Sequence, residues 1–448
     1  MLRIHDTVAG GLVEFALRDE GRASIYYCGP TVYDLPHLGH GRAGLVWDIL
    51  RRYLEWTGLD VNFVSNITDI DDNIIKRANE EGRSTEEVVT EYEAAHWDAM
   101  DRLGIKRPTI SPHATEYVER MVELVADLEQ RGVAYVLEDG VYFNCEAVDD
   151  YGLLAGQPLE SLRAGARVDV AAGKRSPTDF VLWKLAKPGE PSWPSPWGDG
   201  RPGWHTECVV MSLGLLGDGF DLHTGGLDLK FPHHENERAQ AAAIGRPFAR
   251  HWMHHAFIEV GGEKMSKSLG NFTTLTDLLS RSDARAYRLL VLQSHYRSPV
   301  EVTPDTIERA ERSLESLDNF ARRVADLPAA APDEDALTRF RTAMDDDLDT
   351  PKAMAVVFDL VRRANAALDA GDEAAPLVSA VRELTAAVGL ELRAEAEGPD
   401  AEAAELARRR DEARAAKDFA TADALRDELQ ARGYVVEDTP AGTQIRRG

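Results

Sequence analysis

The stretch from residue 23 to residue 64 limits the possible folds more than any other part of the sequence. Residues 23–28 form a short apolar run that ends in Cys28, and a Gly-Pro loop follows it. Apolar side chains at helical spacing then predict a helix over 41–57, and residues 61–64 predict the next strand. Strand, loop, helix and strand in this order predict an α/β fold with a Rossmann-like parallel sheet.

The rest of the chain divides by composition and periodicity into segments of different character. An irregular insertion is predicted to split the Rossmann-like domain, and amphipathic runs near 304–325, 335–370 and 374–389 predict an all-α region after it. The predicted segments are the first half of the Rossmann-like domain (1–107), a connective insertion (108–200), the second half (201–302), a helical bundle (303–390), a linker (391–403) and a small α+β tail (404–448).

Length and composition exclude several classes of protein. The chain has 448 residues, of which 44% are hydrophobic, so it can bury substantial cores. No run approaches the roughly 20 apolar residues that a membrane span needs, and no secretory pattern opens the chain, so we expect a cytoplasmic protein without membrane contact. Its three cysteines are too few for a disulfide framework and are expected to be reduced or bound to a metal.

The formal net charge of -26 argues against a nucleic-acid binder, because contacts to phosphates normally come from Lys and Arg. A local basic surface is still possible in such a chain, and Arg408–Arg410, Arg414 and Lys417 form one basic cluster. By composition alone, the favoured interpretation of this cluster is the solvated face of an acidic helix.

Two signatures far apart in the sequence predict a phosphate site. His37 and His40 flank Gly39 just before the predicted helix, whose N-terminus would favour an anion. Taken alone, these histidines could be ordinary polar loop residues. A second motif at 264–268 changes that balance, because it supplies the donors Lys264, Ser266, Lys267 and Ser268 directly after a strand predicted at 256–260. Cations of this kind stabilise the charge that develops when a phosphate is displaced.

Four other residues form a plausible set of zinc ligands. Cys28 and Cys208 can supply thiolates, and His233 and Glu237 lie at i and i+4, on one face of a helix. Two sulfurs, one imidazole and one carboxylate suit zinc. His234 could replace His233 in this set. Cys145, by contrast, is interpreted as a small buried hydrophobe.

The motifs together resemble a known family. H-L-G-H at 37–40 and K-M-S-K-S at 264–268 resemble the two signatures of class I aminoacyl-tRNA synthetases. Further runs are similar to cysteinyl-tRNA synthetase over essentially the whole chain: Y-C-G-P-T-V-Y-D at 27–34, N-I-T-D-I-D-D at 66–72, F-P-H-H-E-N-E at 231–237 and H-Y-R-S-P at 295–299.

This resemblance implies an activity and a set of partners. The chain would use ATP-Mg²⁺ to convert L-cysteine into cysteinyl-adenylate, and would then transfer cysteine to the 3′-terminal ribose of the cysteine tRNA. One Zn²⁺ per chain is expected, with the first histidine of the F-P-H-H-E-N-E run, His233, as its ligand. A monomer is expected.

The resemblance also implies roles for individual residues. His37, His40, Lys264 and Lys267 would stabilise the transition state, and Gly39, Ser266, Lys267 and Ser268 would contact ATP. Gly29, Thr68, Trp204 and Asp228 would surround the amino and carboxylate groups of cysteine. Asp228 could pair with the substrate ammonium, although a turn residue after Gly225-Gly226 would look the same. We interpret Asp69, Asp71 and Asp72 as caps of the following helix rather than metal ligands.

A zinc site would also explain selectivity. Cysteine and serine differ only in sulfur and oxygen, and apolar packing discriminates weakly between such similar shapes. Zinc binds a thiolate strongly and a neutral hydroxyl poorly, so we hypothesise that the metal selects the thiol.

Two alternatives remain at the level of sequence. One is an ATP-dependent ligase that joins cysteine to an amino-sugar in mycothiol synthesis, and the other is a non-catalytic zinc and RNA-binding module. The tail at 404–448 argues against the first, and the two intact signatures argue against the second. Two positions depart from the family pattern: Thr224 replaces a glycine, and Ile445 replaces an aromatic residue that could stack on a base.

Overall fold

The structure is a computed structural model that describes residues 1–157, 173–260, 263–264, 274–394, 401–432, 434–439 and 442–447. The chain forms two compact units. The first contains residues 1–314 and 330–391, and the second contains residues 315–329 and 392–448. None of the described helices is long and apolar enough to cross a membrane.

The strands of the described residues form five separate sheets. In chain order the strands are β1 (Arg3–Asp6), β2 (Gly11–Glu14), β3 (Arg22–Tyr27), β4 (Asp60–Ser65), β5 (Ala134–Leu137), β6 (Gly140–Phe143), β7 (Phe180–Leu185), β8 (Gly200–Pro202), β9 (Leu222–Gly226), β10 (His251–His255), β11 (Ile258–Val260), β12 (Glu263–Lys264), β13 (Val300–Glu301), β14 (Tyr434–Thr439) and β15 (Gly442–Arg447).

The α-helices of the described residues make up most of the chain after residue 303. In chain order they are α1 (Leu38–Trp56), α2 (Asp72–Glu81), α3 (Thr85–Arg102), α4 (Val118–Gln130), α5 (Trp204–Leu216), α6 (Glu235–Ala243), α7 (Leu275–Arg281), α8 (Ala284–Leu292), α9 (Pro304–Arg323), α10 (Glu334–Met344), α11 (Thr350–Ala370), α12 (Ala375–Ala387), α13 (Ala401–Ala415) and α14 (Phe419–Ala431).

The central sheet of the first unit is parallel, as the sequence predicts. Its strand order is β10-β9-β3-β4, and every neighbouring pair runs in the same direction. The register places Tyr27 opposite both Ser65 and Thr224, so the carboxyl ends of three strands meet at one edge. Ligand sites in open α/β sheets form outside this edge.

Helix α1 begins earlier than the sequence predicts. It starts at Leu38 rather than near residue 41, and His37 is its N-terminal cap residue, with extended backbone. His40 therefore lies in the first helical turn, where its Nδ1 accepts a hydrogen bond from the backbone N–H of His37 over 3.1 Å. Because the first backbone N–H groups of a helix lack intrahelical partners, a Gly and a His that resemble a loop can form the first turn.

The connective insertion is more regular than its sequence suggests. Strands β5 to β8 form one antiparallel sheet between β4 and β9 in the chain. Its Phe143 and Trp183 are fully buried in the same apolar cluster as Tyr26, Cys28 and Cys208. The insertion therefore encloses one side of the edge at which the parallel strands end.

The helical region differs from the prediction at one point. The run predicted at 335–370 is two helices, because α10 ends at Met344 and α11 begins at Thr350. Asp347 and Leu348 have φ angles of 60° and 53°, and the carboxylate of Asp349 accepts a hydrogen bond from the backbone N–H of Lys352. A left-handed pair interrupts a right-handed helix, and Asp is a preferred N-terminal cap. Hydrophobic periodicity alone does not reveal such a break.

The second unit contains a small α+β structure. Helices α13 and α14 pack with the antiparallel hairpin β14–β15 around a core that includes Leu406, Leu425 and Tyr434. Ile445 is half-buried and packs on this core. The strand predicted at 434–437 continues to Thr439.

Candidate functional site

The four predicted metal ligands come from three separate parts of the first unit. Cys28 directly follows β3, and Cys208 lies on α5. His233 lies in the turn before α6, and Glu237 lies in the first turn of that helix. All four side chains are buried, and their candidate ligand atoms lie within 4.8 Å of one another.

The distances within this cluster suit a tetrahedral metal site. The two sulfurs are 3.6 Å apart, and Sγ of Cys208 is 3.7 Å from Nε2 of His233. Oε1 of Glu237 lies 2.9 Å from Nε2 of His233 and 3.5 Å from Sγ of Cys28. Two thiolates bound to a tetrahedral zinc would be roughly 3.8 Å apart. The residues present therefore fit zinc in both donor type and spacing.

The protonation of the cluster reflects burial and close partners. Burial raises the pKa of Cys28 well above its ordinary value. Burial acts in the same direction on Cys208, but hydrogen bonds with Cys28 and His233 outweigh it and lower its pKa to about 6. Burial alone would lower the pKa of His233, yet the charge of Glu237 raises it to about 10. Within the cluster, the thiol of Cys208 therefore loses its proton more readily than that of Cys28.

Two aromatic side chains fix the orientation of His233. Its ring is stacked on the indole of Trp204, with centroids 3.9 Å apart. Its Nδ1 lies 2.8 Å from Nδ1 of His205, and burial lowers the pKa of His205 to about 3, so that ring is neutral. With Nδ1 engaged, Nε2 of His233 faces the two cysteines. Supporting hydrogen bonds of this kind are typical of metal-binding histidines.

His223 is a part of the site that the sequence analysis missed. This buried strand residue lies 2.7 Å from Oε2 of Glu237 through its Nε2. A second group of buried side chains could hold a metal as well, namely Cys28, His223, His234 and Glu237. We prefer the group with two cysteines, because zinc favours thiolates. The number of histidines between 223 and 255 is the one sequence signal that could have pointed to His223.

The predicted cysteine-binding residues lie around the same edge. Gly29 packs so closely that a side chain there would meet the carbonyl oxygen of Asn66 at 1.7 Å. Trp204 is 38% exposed, so one part of its ring remains accessible beside the cluster. Asp228 is exposed. Burial, then the nearby Cys28 and then Asp228 raise the pKa of Tyr27, which directly precedes Cys28.

Thr68 leads to a second residue that the sequence analysis missed. Its hydroxyl donates a hydrogen bond to Oε2 of Glu207 over 2.9 Å. Glu207 is 1% exposed, and its Oε1 is buried without a hydrogen-bond partner. Burial, followed by the nearby Cys208, raises the pKa of Glu207 well above its ordinary value. In the sequence it is one acidic residue of a helix among many, so nothing distinguished it.

Thr224, one of the two departures from the family pattern, lies inside the parallel sheet. It is buried on β9, and its backbone carbonyl accepts a hydrogen bond from the N–H of Cys28 over 3.4 Å. Its hydroxyl donates to the carbonyl of Tyr26 over 3.4 Å. The hydroxyl is thus engaged by the neighbouring strand.

The first signature forms a compact histidine pair. The rings of His37 and His40 are stacked, with centroids 3.8 Å apart. Gly39 lies beneath them, and a Cβ at this position would meet the ring of His37 at 2.7 Å. The pair lies at the N-terminus of α1, where backbone N–H groups favour an anion.

The structure describes the chain on both sides of the second signature. Residues 265–273, including Ser266, Lys267 and Ser268, lie outside the described residues. The backbone of Lys264 belongs to β12, which pairs with β11. Six residues after the signature, Thr274 forms a β-bridge with His37, and the N–H of Leu275 donates to the carbonyl of Pro36 over 2.8 Å.

Comparisons with known proteins cover nearly the whole chain. The family model described as the class I tRNA synthetase (C) catalytic domain matches residues 14–312, and that of the DALR domain matches residues 339–393. The model of the cysteinyl-tRNA ligase anticodon-binding domain matches residues 396–446.

Individual proteins give the same picture. The chain is 49% identical over 460 residues to the cysteine–tRNA ligase of Halorhodospira halophila and 46% identical over 464 residues to that of Vibrio atlanticus, with 100% of both chains covered in each case. Its fold is similar to that of Mycobacterium tuberculosis methionyl-tRNA synthetase in complex with methionyl-adenylate. That comparison has a TM-score of 0.61 at 18% identity and covers 82% of this chain and 89% of the other.

Proposed function

This chain belongs to the cysteine–tRNA ligase family, a class I aminoacyl-tRNA synthetase family, and we propose that its buried cysteine, histidine and glutamate cluster selects the substrate by its thiol. The activity is the ATP-dependent attachment of cysteine to tRNA. One observation carries the proposal. Two thiols, an imidazole and a carboxylate converge at the edge of the parallel sheet where the predicted cysteine-binding residues also lie.

One zinc ion per chain would be held in this cluster by Cys28, Cys208, His233 and Glu237. Zinc bound there would accept the thiolate of cysteine as a ligand and would bind the hydroxyl of serine poorly. His205 and Trp204 hold the His233 ring so that Nε2 faces the two thiols.

The remaining substrate contacts follow from charge and space. Asp228 pairs with the ammonium of cysteine, because its carboxylate is exposed beside the cluster. Thr68, held by Glu207, orients the carboxylate or amine of the amino acid. Because Gly29 has no side chain, its loop can pack against the backbone of Asn66. This packing holds the neighbouring Cys28 in place at the end of β3.

The first step is attack of the cysteine carboxylate on the α-phosphorus of ATP-Mg²⁺, with pyrophosphate as the leaving group. His37 and His40 donate to phosphate oxygens from one side, together with the N-terminus of α1 and Gly39. Lys264, Ser266, Lys267 and Ser268 act from the other side. The β-bridge between Thr274 and His37 supports this arrangement, because it brings the chain that follows the second signature to the first. These groups stabilise the charge of the transition state without a covalent enzyme intermediate.

In the second step cysteine passes from the adenylate to the terminal ribose of the cysteine tRNA. The helical region and the tail at 404–448 would contact the tRNA. Arg408 is paired with Glu405 and Glu412, and Arg410 is buried with a hydrogen bond to Thr443. The basic cluster is thus partly engaged within the protein. Cytoplasmic location, a monomeric state and the six-segment division of the chain belong to the same proposal.

The alternative ligase is disfavoured by the C-terminal part of the chain. An enzyme that joins cysteine to an amino-sugar has no use for an anticodon-binding domain, and the match to such a domain spans residues 396–446. The function as a tRNA ligase therefore has the stronger support.

The test is transfer of labelled cysteine to bulk tRNA with ATP, before and after removal of zinc. We expect charging that depends on zinc and serine that competes at least 1000-fold less well, since a lost metal–thiolate bond outweighs the roughly 10–200-fold that packing supplies. Charging that survives complete zinc removal, or efficient competition by serine, would refute the proposed role of the cluster. Cysteine-dependent AMP release that needs an amino-sugar would instead support the alternative ligase.

A further inference from the structure

Arg42 is a buried arginine in an unusual environment. It is 1% exposed, and within the part of the chain that the structure describes no carboxylate pairs with its guanidinium. The equally buried Arg288, by contrast, pairs with Asp48 over 2.7 Å. Because a charge away from water is costly without a counter-ion, Arg42 needs a physical explanation.

The partners of Arg42 are three backbone carbonyls. Nη1 donates to the carbonyl of Phe257, and Nη2 donates to those of Tyr296, over 3.2 Å, and Ser298. Nε is buried without a hydrogen-bond partner. Burial lowers the pKa of Arg42 to about 10, so it remains charged at neutral pH. The planar guanidinium of Arg42 therefore joins two chain segments that are far apart in sequence. Phe257 and Tyr296, for example, are separated by 39 positions.

These two segments lead into the small sheet, which consists of β11, β12 and β13 and includes Lys264. Phe257 directly precedes β11, which pairs with β12 and so with Lys264. Ser298 precedes β13, which pairs with β11 in parallel, and the N–H of Val300 donates to the carbonyl of Phe257 over 3.1 Å. Arg42 thus binds this sheet at the start of two of its three strands.

The backbone of Arg42 belongs to α1, the helix that begins at the histidine pair. Arg42 follows His40 by two residues in α1, within the first turns of that helix. The guanidinium is therefore a direct link between the helix that carries His37 and His40 and the sheet that carries Lys264. A neutral side chain would fill this space at a lower desolvation cost, but it could not donate hydrogen bonds to all three carbonyls.

We propose that Arg42 is a positioning residue for ATP activation, which sets the distance between the histidine pair and the strand that carries Lys264. This inference rests on the proposed ATP roles of those residues. It requires no contact between Arg42 and the substrates. A displacement of about 1 Å in such a site can cost about 100-fold in rate.

The experiment is ATP–pyrophosphate exchange with cysteine, using the full-length, zinc-loaded protein and Arg42→Lys. A lysine keeps the charge, but its compact ammonium cannot reproduce the planar fork. We expect kcat to fall roughly 10- to 100-fold, with the KM for cysteine within about 3-fold of wild type and zinc content unchanged. A folded variant with kcat within 3-fold of wild type would overturn the proposal.

Arg288→Lys is the matched control. Arg288 also pairs with α1, through Asp48, and donates to the carbonyls of Leu103, Gly104 and Val388; among the described residues, none of these partners belongs to the small sheet. We expect it to lower the thermal midpoint as much as Arg42→Lys does, while kcat stays within 3-fold of wild type. An equal loss of kcat in both variants would indicate a merely structural role and would overturn the proposal.

A second variant covers the case in which Arg42→Lys does not fold. Arg42→Gln removes the buried charge but keeps an amide with two N–H donors, so it lowers the desolvation cost. The same fall in kcat at a near-constant KM for cysteine is expected, and wild-type kcat in this variant would overturn the inference. Absence of exchange in the wild-type protein would be a different result, since it would refute the proposed function itself.

Discussion

His223 donates a hydrogen bond from Nε2 to Oε2 of Glu237 over 2.7 Å, and both side chains are fully excluded from water. The other oxygen of Glu237 is thereby left for His233, at 2.9 Å. Charge from His223 and His233 holds the pKa of Glu237 well below its ordinary value, although burial opposes this. His223 thus determines which carboxylate oxygen faces the two cysteines.

Replacing His223 should therefore weaken zinc binding. His223→Asn removes the donor at Nε2, and loss of such a supporting hydrogen bond typically costs 10- to 100-fold in metal affinity. Competition with a chromophoric chelator measures the change. His254→Asn is the control, because His254 bonds to His234 and Thr7 but to none of the four proposed ligands. Equal losses in the two variants would contradict the role given to His223.

Replacing Asp228 should weaken the binding of cysteine alone. Asp228→Asn removes the proposed partner of the substrate ammonium, and a hydrogen bond to a charged group contributes about 1.5–3 kcal/mol. We expect the KM for cysteine to rise roughly 10- to 100-fold in pyrophosphate exchange, with the KM for ATP and the zinc content unchanged.

Asp71→Asn is the matched control for this carboxylate. Asp71 caps α2 by accepting a hydrogen bond from the N–H of Asn73, and Asn caps a helix equally well. Its kinetics should equal those of the wild type. An unchanged KM for cysteine in Asp228→Asn would contradict the pairing of Asp228 with the substrate ammonium and would leave Asp228 with a role in the turn alone.

Acid should destabilise the protein through His255. This side chain is buried, its Nδ1 lies 2.8 Å from the carbonyl oxygen of Ala256, and burial lowers its pKa to about 4. The unfolded chain, with an ordinary pKa near 6.5, binds more protons than the folded protein between about pH 4 and 6.5. Stability is therefore complete above about pH 6.5 and is lost as the pH falls through this window.

Urea unfolding between pH 7 and pH 4.5 measures this dependence. His255→Gln should reduce the loss of unfolding free energy over that range by up to about 3 kcal/mol, because glutamine does not titrate. His5→Gln, at a half-exposed histidine, is the comparison for the loss of an imidazole outside the core. An identical profile for all three proteins would exclude His255 as a source of acid sensitivity.

The Ile445 departure should be testable as a gain of affinity. Ile445 packs on the small core of the second unit but remains half-exposed. Ile445→Trp would offer a flat face to a base, and such stacking contributes about 1–3 kcal/mol, or roughly 5- to 150-fold in tRNA affinity. Filter binding of the cysteine tRNA measures it. Ile445→Met keeps apolar packing without an aromatic face, so equal affinities of the two variants would contradict stacking at this position.

The fold could be predicted where the sequence carries periodicity. The parallel sheet and α1 were predicted because apolar spacing between residues 23 and 64 distinguishes strand from helix. The break between α10 and α11 could not be predicted in this way. It depends on the left-handed backbone of Asp347 and Leu348, and the hydrophobic period continues nearly intact across it.

The site shows a similar division. Cys28, Cys208, His233 and Glu237 were chosen by residue type and spacing, and they lie together in the structure. His223, Glu207 and Arg42 were missed because each is one polar residue within a buried element, and only tertiary contacts give it a partner. The roles of all these residues remain predictions.

The order of strands in the parallel sheet has a consequence for synthesis of the chain. Strand β3 lies between β4, which ends at Ser65, and β9, which begins at Leu222. At about 5–20 residues per second, the ribosome needs roughly 8–30 s to make the intervening 156 residues, 66–221. During that time the nascent chain exposes an unpaired β3 edge next to Cys28, which invites aggregation. Productive folding is therefore expected to require that this edge stays shielded until the second half of the chain emerges.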